Sequence, residues 1–162
     1  MAILSWGKPK LEYCLCSNNG ELPDTPTWTE ITLPVKQGTA QLETEQGDKN
    51  EALDEGGDVV DVRFGKSKYT FTFSLYMKKG ATKPISDTDG VVAGNYGLRL
   101  TAEDSAAMGF ILPKCSVSVQ ETWASEDGGL WVYTFSALKP ASGNALQRYT
   151  VTPTPPSGGE ED

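Results

Sequence analysis

Ser136-Ala137-Leu138-Lys139 has the Ser-x-x-Lys spacing of serine acyl-enzymes, in which an amine takes the proton of a nucleophilic hydroxyl. That chemistry wants the serine at the opening of a helix. Ser136 instead closes an aromatic, alternating run, so the match reads as coincidence. Asp87-Thr88-Asp89-Gly90 begins like a calcium loop, but its glycine follows the second carboxylate at once and no glutamate stands at the twelfth position. A solvated turn fits better. Cys14, Cys16 and Cys115 are odd in number, and as metal thiolates they would need a carboxylate or water as fourth ligand, because the chain has no histidine. They read as buried thiols. The same absence removes Ser-His-Asp and Cys-His catalysis. Gly56-Gly57 and Gly128-Gly129 lack the lysine or helix signature of a phosphate loop, and nothing among 22 acidic residues singles out a glycosidase pair. No catalytic residue, cofactor or metal site is assigned, and the expectation is a protein that is not an enzyme.

The charge pattern says more than any catalytic motif. Eight acids, Glu43, Glu45, Asp48, Glu51, Asp54, Glu55, Asp58 and Asp61, face Lys49 alone over that stretch. Such a run is either an ordinary solvated face or a surface that repels polyanions. The formal net charge of -8 works against recruiting nucleic-acid phosphates. No apolar run approaches the roughly 20 residues of a membrane helix, and the start of the chain has no secretory-signal pattern, so the expectation is cytoplasmic synthesis.

These residues need elements to hold them. From Tyr69 to Met77, Tyr69, Phe71, Phe73, Leu75 and Met77 alternate with Thr70, Thr72, Ser74 and Tyr76, the period of a half-buried strand about 30 Å long. So long a strand has to be covered, by its own chain or by neighbouring subunits. Residues 10–16 and 27–33 predict further strands, the second with Trp28 opposite in parity to Ile31 and Leu33. Residues 39–46 predict a weakly apolar strand in an exposed acidic hairpin. Residues 50–53 read as a helical turn or as one arm of a hairpin bending at Gly56-Gly57 into Val59–Val62, and strand is favoured. A long connection runs from Gly80 to Gly97. Residues 98–101 predict a short strand, and Thr101 caps a helix over Ala102–Met108, with Asp104 placed as in a capping box and Gly109 as the stop. Residues 114–123 and 130–138 alternate around Asp127-Gly128-Gly129 and predict an antiparallel hairpin. Residues 146–151 predict a last strand. The fold expected is therefore mainly β, an antiparallel β-sandwich or barrel-like domain with one short α-helix. Residues 1–151 form one domain, and 152–162 a disordered acidic tail rich in proline and glycine.

The order of parts resembles a phage tail tube (major tail) protein. The resemblance spans roughly Thr27 to Thr150 and is carried by Thr27-Trp28-Thr29-Glu30-Ile31, the acidic hairpin Thr39–Leu53, the turn Glu55-Gly56-Gly57-Asp58-Val59-Val60-Asp61 leading to Tyr69–Met77, and the closing Trp131–Pro140. It implies a virion protein, assembled in the host bacterial cytoplasm, that stacks as hexameric rings with copies of itself and other tail proteins. DNA would pass through the channel without tight binding, and no membrane would be involved. The eight acids then become candidates for the lumen or the inter-subunit face, and the hairpins and the Gly80–Gly97 connection candidates for bridges between subunits. The rival reading is a monomeric β-sandwich binding module that recognises carbohydrate or a surface through Trp6, Trp28, Trp123 or Trp131.

Overall fold

A computed structural model describes residues 7–104 and 107–149. Ten strands are present among these described residues: β1 (Lys10–Leu15), β2 (Thr29–Glu30), β3 (Gln41–Glu45), β4 (Lys49–Leu53), β5 (Val59–Phe64), β6 (Lys68–Tyr76), β7 (Val91–Thr101), β8 (Gly109–Ala124), β9 (Gly128–Ala137) and β10 (Gln147–Tyr149). Eight of them form one antiparallel sheet in the order β2-β1-β7-β8-β9-β6-β3, with β10 added to β8. β4 and β5 pair only with each other.

The protein is mainly β, as the alternating patterns predict. Its main ladder ends in two edges and does not close, so neither a sandwich of two large sheets nor a closed barrel is formed. Residues 29–36 nevertheless run from one end of the ladder to the other. Ile31 N–H donates to the Leu11 carbonyl at 2.8 Å on the β1 side, while on the β6 side Tyr76 donates to Pro34 at 3.0 Å and Lys36 to Ser74 at 2.9 Å. Residues 27–33, expected as one strand, supply only the two-residue β2 and the first part of this crossing strap.

The core lies on the face predicted for β6. Leu42, Phe71, Phe135 and Val117 stand in cross-strand register, and beside them Phe73, Tyr133 and Val119 do the same. Phe71, Phe73 and Leu75 are buried within one subunit, with Phe73 stacked between Tyr133 and Phe135 at centroid distances of 5.6 and 5.8 Å. The cover that so long a strand requires is therefore intramolecular, and assembly is not needed to explain β6.

Four expectations are corrected. No helix occurs among the described residues. β7 is hydrogen-bonded to β1 as far as Thr101, and β8 begins at Gly109, so the short link between them spans an antiparallel connection. Within it Ala107 N–H donates to the Asp104 carbonyl at 2.9 Å in a turn, and strand pairing on both sides overrides the capping pattern. Gly109 is not a helix stop; a Cβ there would lie 1.9 Å from the Leu100 carbonyl oxygen. The connection after β6 ends at Val91 rather than Gly97, because β7 already begins there, its register broken twice between Val91 and Leu98 in a stretch that contains Gly94 and Gly97. Finally, β3 pairs with β6 and not with residues 50–53, so the acidic run is split between two sheets. Part of the expected last strand and the acidic tail lie outside the described residues.

Candidate assembly surfaces

The eight acids fall into two groups. Glu43 and Glu45 point away from the core on β3, opposite Thr70 and Lys68 of β6. That outward face continues as a polar row, Glu43, Thr70, Ser136, Ser116 and Asn95, beside a second row of Gln41, Thr72, Thr134 and Ser118. The other six acids belong to the β4–β5 hairpin, which we call the arm. Asp48 stands at its root, where the Asp48 carbonyl accepts from Gly65 N–H at 2.8 Å. Glu51 pairs with Lys49 at 2.9 Å. Asp54 shapes the tip, its Oδ1 accepting from Asp58 N–H at 2.9 Å, while Gly57, at φ +87°, donates to the Asp54 carbonyl at 3.0 Å. This is the bend expected at Gly56-Gly57. Asp61 accepts from Val62 N–H. The eight acids therefore do not form one wall.

What the sequence reading missed is the apolar side of the arm. The register sets Glu51 against Val62 and Lys49 against Phe64, with a bulge that leaves Val59 opposite Leu53. Leu53, Val62 and Phe64 thus share a face with Val59. Leu53, Val59, Val60 and Phe64 are each more than half exposed, at 59%, 51%, 64% and 55%. Every residue of the arm is solvent-accessible, so its hairpin has no cover inside the subunit. The signal was present in the sequence as the alternation of Val60, Val62 and Phe64 with Asp61 and Arg63, but periodicity reports a face and not what lies against it.

Two polar clusters tie the elements of the body together. Glu12, 6% exposed, receives two hydrogen bonds from Arg99, at 3.0 and 2.8 Å. The guanidinium lies 4.9 Å from the ring centroids of both Trp28 and Tyr149. Gly97 makes room for this second layer, since a Cβ there would meet Leu22 at 2.7 Å. The connection before β7 is tied down too. Lys83 binds Asp87 at 2.7 Å and Glu121 at 2.6 Å, Tyr133 Oη donates to the Ile85 carbonyl at 2.8 Å, and Tyr13 Oη donates to Pro84. The Lys83 amine holds the Asp87 and Glu121 carboxyls below their ordinary range. Asp87 is thus occupied by Lys83 and by Gly90 N–H, and the segment expected to bridge subunits is folded onto its own core through buried Ile85.

Cys14, Cys16 and Cys115 are all buried and free. Burial pushes the Cys16 thiol up to about 11, with the neighbouring Cys14 and Glu21 adding to it, and raises Cys115 further. Among the described residues no group of three or more His, Cys, Asp or Glu side chains could hold a metal ion. Trp131 is buried and Trp28 stacks on Arg99, leaving Trp123, 75% exposed at the β8–β9 tip, as the free aromatic of those three. A stacking platform of several tryptophans is not assembled from them. Trp6 lies outside the described residues. No helix among the described residues is long and apolar enough to cross a membrane.

Neither the protein-family models nor the curated proteins give a match to this chain.

Proposed function

We propose that the chain is a structural, self-assembling subunit of a phage tail tube, built as a barrel-like body with a projecting arm. One observation carries this reading: the β4–β5 hairpin leaves an apolar face uncovered although the body has a complete core of its own. An uncovered hairpin is marginal by itself and is stabilised by a partner surface. Copies of the same chain supply that surface in a ring or a stack of rings, where a head-to-tail contact either closes or propagates.

The outward face of β3, β6, β9 and β8 is the candidate channel wall. Its two rows offer hydroxyls and amides with Glu43, and beside them Glu45 faces Lys68, while Lys114, two positions before Ser116 on β8, is paired with Glu21 at 3.1 Å. DNA beside such a wall gains little from counterion release and is free to slide. Other tail proteins would meet the ends of the stack. Electron microscopy of the purified, concentrated chain tests the proposal. Rings or tubes of uniform diameter with a central channel are expected, and a dispersed monomer at every concentration contradicts it. Glycan binding that is lost on Trp123→Ala, with no assembly, would favour the binding-module reading instead.

A further inference from the structure

The body carries an open cleft of about 1160 Å³ between β1, the crossing strap and β3. Its lining includes Leu11, Leu33, Val35, Leu42, Phe71 and Phe110, and its rim includes Lys8, Lys10, Lys36 and Lys78, with Glu30 as the carboxylate among the lining residues. Lys36 is paired with Asp127 at 3.0 Å. Lys8, Lys10 and Lys78 form no ion pair among the described residues. The arm has the complementary composition. Its tip half, residues 52–61, holds Asp54, Glu55, Asp58 and Asp61 with no cation, around Leu53, Val59 and Val60.

Placement argues for a second copy as the occupant. The arm leaves the Lys68 end of β6, whereas Lys36 and Lys78 lie at its Tyr76 end, about 30 Å away along a nine-residue strand. A six-residue arm strand reaches about 20 Å. Leu42 and Phe71 line the part of the cleft nearer the arm's root, but Lys36 and Lys78 lie beyond the arm's reach, so a tip that covers the lining and also meets Lys78 comes from another molecule, head to tail.

We propose that the acidic, apolar tip of the arm of one copy docks in the lysine-rimmed cleft of the next copy. Leu53 and the valines cover the cleft's apolar lining, while the tip carboxylates meet Lys8, Lys10 and Lys78. The proposal rests on the self-assembly reading and names the two surfaces that it uses.

The test is charge reversal in the full chain. Lys10→Glu/Lys78→Glu and Glu55→Lys/Asp58→Lys, which leave the tip-shaping Asp54 in place, are each expected to raise the concentration at which assembly begins by about tenfold or more, and a mixture of the two to recover it, because the reversed charges again oppose each other. Unchanged thermal unfolding of each variant monomer separates lost docking from lost folding. As a second measurement, Val59→Cys on one chain is expected to form a disulfide with Leu33→Cys on another. Assembly that proceeds equally in both reversal variants, without that cross-link, overturns the proposal and leaves self-assembly standing. A wild-type chain that stays monomeric overturns both. Residues 1–6 filling their own cleft would give Leu4→Cys to Leu33→Cys disulfides within one chain and none to the arm, which also overturns it.

Discussion

At the scale of single residues, the most consequential group is Glu12 with Arg99. Two charges that leave water need each other's hydrogen bonds, and removing one partner strands the other. Glu12→Ala is therefore expected to destabilise the chain by about 3 kcal/mol, read as a lowered urea midpoint with an unchanged slope. Arg99→Lys should also destabilise, since a lysine offers neither the two-pronged contact nor a planar group between Trp28 and Tyr149. Nothing in the sequence pointed to this pair. Glu12 and Arg99 come from strands 87 positions apart, and only the β1–β7 register sets them opposite each other. The buried cysteines were legible, because small sulfur side chains on an alternating strand with no histidine nearby have few other uses.

Among the elements, strands with strict alternation were readable and broken ones were not. β6, β8 and β9 kept the parity that Phe71, Val117 and Tyr133 announce. β7 was hidden behind Gly94, Gly97 and two register irregularities. The partner of β3 was unreadable because Leu42 fits a hairpin or a sheet edge equally well.

The tethered connection before β7 makes a pH prediction. The depressed Asp87 and Glu121 pKa values add stability that is present above the unfolded carboxylate range near 4 and is lost as pH falls through the lower folded values. The raised Lys83 pKa adds stability that is complete below about 10.4 and is lost only as pH rises past the folded value. The protection of the Ile85 and Gly90 amides, taken relative to their intrinsic exchange at each pH, should therefore be greatest between about pH 4 and 10 and fall on either side. Lys83→Met should lower it at pH 7 already. Equal protection in the two proteins would show that Tyr133 and Tyr13 hold the segment without Lys83.

For the whole molecule, the division is between a body that buries its own aromatic core, open at one cleft, and an arm that has no core at all. The body buries its aromatic strands, pairs its inner charges and laces the two ends of its sheet with residues 29–36. The arm stands on Gly47 and Gly65, packed so closely that a Cβ on Gly47 would lie 2.2 Å from the Gly65 backbone, and it presents acids and apolar side chains together. Sequence showed the acids, because a run of like charge is visible without a fold. It did not show that two of them belong to the sheet and six to the arm.

Assembly through the arm is measured by sedimentation velocity across a concentration series, comparing the intact chain with one in which residues 48–64 are replaced by a short glycine turn. Large, concentration-dependent species are expected for the intact chain and a stable, folded monomer for the armless one. Identical sedimentation of the two, whether both monomeric or both assembled, would contradict it.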